Sequence, residues 1–222
     1  MEVAVLLVAS AMAGTAVAVR GLYGFYSEGA VLRRQMRRVQ RQRIGDAVDG
    51  SEVKVCGVVD DEGPLLEAPL TGRRCVAWTI EVWEGDAGPD APPLVRDAGL
   101  RDFLLYEESG RGLVRLERVR FLLTQKSHFR SGPFTLPSER AEAYLDQCGV
   151  RPVLSTGIRK RLRFCEAIVR PGDRVTVCGA AHWVRDPDPR VQARVSYRAA
   201  ARRLVIDAPD GGFVLVSNDE AA

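Results

Sequence analysis

The sequence contains few of the residues that metal and catalytic sites require. It has two histidines and five cysteines, and no two cysteines have the C-x-x-C spacing of a zinc site. It also lacks a G-x-x-x-x-G-K-[ST] phosphate loop and a G-x-G-x-x-G loop after a strand. The sequence therefore predicts no metal ion, no cofactor and no catalytic residue.

The cysteines are odd in number and too scattered to predict a disulfide framework. They are Cys56, Cys75, Cys148, Cys165 and Cys178. Small buried thiols in a reducing compartment are the simplest interpretation. One enzymatic arrangement stays open, because a hydrolase could be built from Cys75, His128 or His182 and an oriented carboxylate.

The excess positive charge of the chain is confined to its first 46 residues. Residues 1–46 carry seven arginines and three acidic residues, a net charge of +4, whereas the remainder carries 25 basic and 26 acidic residues. A nucleic-acid-binding domain would have a basic surface of its own, because phosphate neutralisation supplies most of its affinity. Nucleic acid is therefore not an expected partner.

An uncharged apolar segment, Val3–Val19, lies near the N-terminus. As a helix it would rise about 25 Å. If the Arg20 side chain reaches back to the headgroups, an extension to Tyr26 completes the ~30 Å of a hydrocarbon core. Tyr23, Phe25 and Tyr26 resemble the aromatic belt of a membrane interface. We therefore predict a transmembrane anchor at residues 1–26, with the lipid bilayer as a partner.

Two further features of this segment bear on its interpretation. Ala16-Val17-Ala18 fits the cleavage rule of a signal peptide, but no Lys or Arg precedes the apolar stretch as signal peptides require. Ser10, Gly14 and Ala18 recur every four residues, a spacing that would let two helices approach closely in a homo-oligomer.

Six arginines follow, in a segment predicted as a basic juxtamembrane helix at residues 27–46. They are Arg33, Arg34, Arg37, Arg38, Arg41 and Arg43. The positive-inside rule predicts a single-pass membrane protein with its N-terminus outside and its C-terminal domain in the cytoplasm. On a helix, Arg33, Arg37 and Arg41 would share one face and could lie on anionic headgroups. Whether these arginines bind lipid or only set the topology stays open.

Residues 47–222 are predicted to form one β-rich domain. Many short alternating segments are separated by Gly/Pro turns, which is typical of a mainly β fold, a small barrel or sandwich such as an OB-like barrel. Phe103–Tyr106 and Leu113–Leu116 are predicted to pair as a hairpin, and Glu84–Gly99 to form a loop. One inserted helix is expected at Ser138–Cys148, with Ser138 as its N-cap and Gly149 as its stop.

Two motifs lie in this domain. The first, A-P-L-T-G-x-x-C, contains Pro69, Gly72 and Cys75. The second, E-x-x-x-x-P-G-D-x-V-x-V-x-G, contains Glu166, Gly172, Asp173 and Gly179. Proline presets φ and glycine needs no room for a Cβ, so both motifs are predicted to form tight turns between strands.

With the strand–turn–strand of Phe103–Val114 between them, the two motifs resemble the GIDE ("beside a membrane") domain. This is the membrane-associated module of the mitochondrial E3 ubiquitin ligase family and its prokaryotic relatives, and the resemblance covers roughly residues 50–217. In the ligases a C-terminal RING finger, which needs eight Cys/His ligands, carries the activity. Only Cys178 and His182 fall in the last 50 residues here, so the resemblance implies the module without ligase activity.

The sequence thus favours a membrane-anchored, non-catalytic binding or scaffold module that presents a β-rich domain to a protein partner at the cytoplasmic face. The alternative is a component of an E3-ubiquitin-ligase-like or other enzyme system whose catalytic part lies on another chain. A Cys/His hydrolase of unrecognised type belongs to the same alternative.

Overall fold

The computed structural model describes residues 28–60, 62–85, 91–188 and 201–219. The predicted anchor at residues 1–26, including Ser10, Gly14 and Ala18, lies outside these ranges. Among the described residues, no helix has both the length and the apolar character that crossing a membrane requires.

Within these ranges the chain is mainly β. The helices are α1 (Glu28–Arg38) and α2 (Glu139–Gln147), with a 3-10 turn at Ile44–Asp46. The strands are β1 (Glu52–Val59), β2 (Leu66–Glu67), β3 (Arg74–Cys75), β4 (Ala77–Glu84), β5 (Val95–Leu100), β6 (Phe103–Glu107), β7 (Gly110–Val114), β8 (Val119–Leu122), β9 (Lys126–Ser131), β10 (Leu162–Val169), β11 (Arg174–Arg185), β12 (Arg202–Asp207) and β13 (Val214–Ser217).

Five strands close into a barrel, which confirms the predicted mainly β fold and is the first of its two predicted forms, a small barrel or a sandwich. The order is β1-β6-β7-β12-β11, and β11 pairs back onto β1. The pairing of β7 with β12 is parallel and the others are antiparallel. Alternate residues point inward and fill the barrel core, among them Val53, Val55, Val177, Leu204 and Ile206. Strand β13 extends the sheet beyond β11, and β8 lies at its edge.

A second sheet, here called the outer sheet, has the order β5-β4-β10-β9. Its two central strands extend outward from the barrel. One end of each lies in the barrel core, at Ala77 in β4 and at Val169 in β10. Farther out, Val82 and Phe164 pack with Leu145 of α2 in a separate core. The outer sheet is therefore fixed to the barrel at one end and covered by α2 on one face.

Helix α1 packs against the edge of the barrel sheet. Leu32 and Met36, one turn apart, are buried against Leu122, Cys178 and Leu215. The helix is therefore part of the described fold rather than a free linker.

The prediction of a helix over residues 27–46 is wrong in its length, because α1 ends at Arg38. Beyond it the backbone of Gln42 donates to the Lys54 carbonyl of β1 at 2.9 Å, and Ile44 is fully buried in the barrel core. The helix ends because pairing with β1 and burial of Ile44 stabilise this segment more than further helical hydrogen bonds would. Arg41 and Arg43 consequently leave the helical face that Arg33 and Arg37 share.

Several local predictions are confirmed. Phe103–Glu107 and Gly110–Val114 form the expected hairpin, although its second strand begins three residues earlier and ends two residues earlier than predicted. The Ser138 side chain caps α2 by accepting from the Ala141 amide at 3.2 Å, and Gly149 follows the helix with a φ of 69°.

The loop predicted for Glu84–Gly99 is wrong over its last five residues. Val95–Leu100 is strand β5, which pairs with β4 from Val82 to Ala77. Its side chains are mostly exposed, so it has no apolar alternation that a sequence pattern would detect.

Gly179 marks a close approach of two barrel strands. A Cβ at this position would lie 2.6 Å from the Asp207 carbonyl oxygen and 2.8 Å from Ile206 Cγ2. We expect Gly179→Ala to lower the free energy of unfolding by about 1–3 kcal/mol, as overpacking does. The matched control is Gly112→Ala, whose Cβ would make ordinary contacts at 3.7 Å. Urea unfolding of the detergent-solubilised chain measures both, and equal stabilities of the two variants would contradict the argument.

Candidate functional site

A groove of about 550 Å³ lies between α1, β8 and one face of the outer sheet. It is lined by Leu32 of α1, Leu122 of β8, Thr79 and Glu81 of β4, and Leu100 of β5. Leu100 is 40% exposed, whereas Leu32 and Leu122 are buried in the contact of α1 with the barrel sheet. The groove therefore has an accessible apolar side chain beside a rigid wall.

The alternation of β4 explains why this face is open. Trp78, Ile80 and Val82 pack with α2 on the other face of the outer sheet, so Thr79 and Glu81 point away from α2 toward the groove. Helix α1 covers only part of this second face. The exposed remainder is available for a binding partner.

Charged pairs lie along the rim of the groove. Arg96 contacts Glu81 at 3.0 Å and Glu28 at 3.9 Å, and all three side chains are at least partly exposed. Surface pairs of this kind contribute at most about 1 kcal/mol each. They are therefore loose enough to exchange partners, and the groove offers both apolar contact and charge of either sign.

The two sequence motifs meet at Glu166. This side chain is buried in β10, and its Oε1 accepts a hydrogen bond from the Leu70 amide at 2.8 Å. Pro69 and Gly72 lie in the tight turn closed by the Gly72 amide and the Ala68 carbonyl at 2.8 Å, with Gly72 at a φ of 68°. The carboxylate thus fixes the first motif onto the strand that begins the second.

Cys75 lies beside this junction and is fully buried. Its thiol is 3.8 Å from the Leu66 carbonyl. Burial, and then the negative charge of Glu166, raise the pKa of the Cys75 thiol to about 11. A thiol that stays protonated at neutral pH is a poor nucleophile.

The histidines lie on other strands. His128 is opposite Cys165 in the pairing of β9 with β10, and His182 is opposite Val205 in the pairing of β11 with β12. In the described ranges, no three His, Cys, Asp or Glu side chains are grouped as metal ligands would be.

The remaining motif residues form turns and close strand contacts. The Asp173 amide donates to the Arg170 carbonyl at 3.1 Å, and the Asp173 carboxylate accepts from the Arg170 amide at 2.8 Å. Gly172 takes the φ of 83° that this turn needs. Together with the close approach at Gly179, these contacts make the second motif a structural element of the barrel.

The six predicted membrane-surface arginines are distributed over α1 and the segment that follows it. Arg33 forms an ion pair with Asp219 at 3.2 Å. Arg34 is half-buried, and the others are exposed, namely Arg33, Arg37, Arg38, Arg41 and Arg43. They form no single stripe, because the helix ends at Arg38.

All five cysteines are free thiols, as predicted. Cys75, Cys165 and Cys178 are buried, whereas Cys56 and Cys148 are half-buried. Burial raises the pKa of Cys178 to about 12. The thiols of the buried group are therefore packing residues in this fold.

A buried ion-pair cluster was not predicted from the sequence. Arg111 of β7 holds the carboxylate of Asp186 with two hydrogen bonds of 2.6 and 2.7 Å, and contacts Asp188 at 3.1 Å. Asp186 is fully buried. The partners are 75 residues apart in sequence, so no local motif signals the cluster.

Comparison of the chain with protein-family models, curated proteins and solved structures gives no match. The resemblance to the GIDE domain consequently rests on the motifs quoted above.

The Arg111 cluster makes stability depend on pH. The hydrogen bonds from Arg111 hold the pKa of Asp186 below its ordinary value. This contribution is present above pH ~4, the ordinary Asp value, and is lost as pH falls through the lower folded pKa. We expect Asp186→Asn to lower the free energy of unfolding by about 3 kcal/mol at pH 7, because it breaks a buried pair.

The difference in free energy of unfolding between wild type and Asp186→Asn should shrink on acidification below pH ~4. Chemical denaturation at several pH values measures it. Asp210→Asn, at an exposed position, is the control and should leave the pH profile unchanged. If wild type stayed more stable than Asp186→Asn by the same free energy down to pH ~2, the link between the Asp186 pKa and stability would be contradicted.

Proposed function

We propose that this chain is a membrane-anchored, non-catalytic binding module that presents its β-rich domain to a protein partner at the cytoplasmic face of a bilayer. The observation that carries the proposal is the groove between α1 and the outer sheet. One of its walls is helix α1, which begins nine residues after the apolar segment Val3–Val19. A partner in the groove would therefore be held close to the membrane.

The barrel supports this proposal. A five-stranded barrel with the order β1-β6-β7-β12-β11 and one parallel pair supports an OB-like fold, which commonly serves as a ligand-binding scaffold. Fold alone does not define function. The groove and the apolar segment supply the specific features of the proposal.

The resemblance to the GIDE domain supports the same function. Its two motifs come together through Glu166 and Leu70, so they act as one structural unit. In the ligases this unit accompanies membrane spans, and we propose the same association here, together with a protein partner.

The anchor is tested by extraction and by topology. Because Val3–Val19 is uncharged and arginines follow, the full chain should resist carbonate extraction, and a reporter fused after Ala222 should face the cytoplasm. The matched control begins at Ser27, which keeps α1 and its contacts but removes the apolar segment. Release of the full chain by carbonate, or a reporter on the opposite side, would contradict the proposal.

The groove is tested by charge insertion. We expect Leu100→Asp to reduce recovery of the protein partner from native membranes at least tenfold, because it places a charge at the exposed apolar residue of the groove. Val48→Asp is the control, since Val48 is 66% exposed and is not among the groove residues. Quantitative cross-linking and mass spectrometry measure recovery, and equal loss in the two variants would exclude the groove as the binding site.

A further inference from the structure

Two loops at the free end of the outer sheet expose apolar side chains. Leu162 pairs with both Glu84 and Ser131, so the loop after β9 and the loop before β10 leave the sheet side by side. We call their apolar residues the loop surface; they are Phe134, Leu136, Val153, Leu154 and Ile158.

The first loop projects one aromatic side chain completely into solvent. Gly132 and Thr135 exchange two backbone hydrogen bonds, of 2.9 and 3.3 Å, which close a tight turn around Pro133 and Phe134. Phe134 is 101% exposed and Leu136 is 71% exposed. Large apolar side chains clustered in this way mark a surface that contacts something else.

The second loop is also closed by its own backbone. The Leu154 amide donates to the Ile158 carbonyl at 2.8 Å, and the Lys160 amide donates to the Pro152 carbonyl at 2.8 Å. Leu154 is 43% exposed and Ile158 is 55% exposed. These hydrogen bonds reduce the number of backbone groups that would lose a partner if the side chains of the turn entered an apolar medium.

The two loop segments themselves carry charge of one sign. Residues 130–137 and 149–161 contain five basic residues and no acidic residue, namely Arg130, Arg151, Arg159, Lys160 and Arg161. Two of them form ion pairs with neighbouring acids, Arg159 with Glu142 and Lys160 with Glu84. The net charge is positive, which complements an anionic headgroup layer.

A small cavity joins the aromatic tip to two of these arginines. It has a volume of about 270 Å³ and is lined by Phe134, Arg130, Arg161 and Thr135. Guanidinium groups bind phosphate oxygens with paired hydrogen bonds. A phosphate group in this cavity would thus meet arginine beside Phe134.

The N-terminal end of α1 lies toward the loop end of the outer sheet. Met36 packs near the barrel residues Cys178 and Leu215, whereas Glu28 is 3.9 Å from Arg96, close to the start of β5. Strand β5 starts at the loop end of the outer sheet, since Val95 pairs with Val82. The chain therefore enters α1 from the direction of the loops.

We propose that the loop surface inserts Phe134 and its apolar neighbours into the headgroup–acyl boundary of an anionic bilayer, as a second membrane contact of the domain. The inference rests on the proposed membrane anchor for its geometry but concerns different residues. Exposed apolar tips flanked by basic residues fit a lipid surface, and the entry of α1 from the same side favours lipid over a soluble protein.

The test uses the full chain in vesicles of phosphatidylcholine and phosphatidylserine that carry brominated acyl chains, which quench tryptophan fluorescence. Phe134→Trp reports on the loop surface. Tyr106→Trp is the matched control, because Tyr106 is 55% exposed and lies near Pro171 and Gly172, beyond the other end of β10. Eight residues of strand separate the two ends by about 23 Å. The emission of the native protein, with its three tryptophans, is subtracted from each variant.

We expect the tryptophan at position 134 to be quenched at least twofold more than the one at position 106, and this excess to fall when phosphatidylserine is omitted. Equal quenching at the two positions in protein that floats with the vesicles overturns the loop contact and leaves the anchor standing. Failure of the chain to float overturns both proposals. Protection of position 134 by a protein partner but not by lipid would identify a protein interface and also overturn the inference.

Discussion

The antiparallel pairing of β4 with β10 is the interaction on which the rest of this structure depends. The ladder runs without a break from Ala77 and Val169 to Glu84 and Leu162. Its first residues fill the barrel core and its later ones fill the core under α2. A rigid connection between two cores is what positions the groove on one face of the outer sheet and the two loops at its free end.

Glu166 lies within this ladder and shows what the connection costs. One carboxylate oxygen accepts a hydrogen bond from the Leu70 amide. The other oxygen has no hydrogen-bond partner in the described part of the chain, and neither has the hydroxyl of Thr71, the residue after Leu70. A buried acceptor without a partner costs about 1–3 kcal/mol. The surrounding burial of Leu70, Ile80 and Phe164 offsets this cost, at roughly 1.5–3 kcal/mol for each side chain.

Sequence reasoning succeeded where the structure is determined locally. The cap at Ser138, the turn at Gly172 and the hairpin after Phe103 each follow from residues within one turn or one hairpin. It failed for β5 and β9, because these edge strands expose most of their side chains and carry no apolar alternation. The groove and the Arg111 cluster could not be predicted either, since their residues come together only through pairing of distant strands.

The end of α1 bears on the role of the N-terminal arginines. Eleven helical residues rise about 15 Å from Glu28 to Arg38, whereas the attraction of a charged surface decays over about 8–10 Å in physiological salt. If the bilayer lies at the loop end of the outer sheet and α1 runs away from it, Arg37, Arg38 and the residues beyond them would stand too far from the headgroups to bind them. These arginines would then set topology during insertion, and lipid contact would belong to Arg130 and Arg161 beside Phe134. The sequence left open whether the N-terminal arginines bind lipid or only set topology. The answer depends on which end of the domain lies at the membrane.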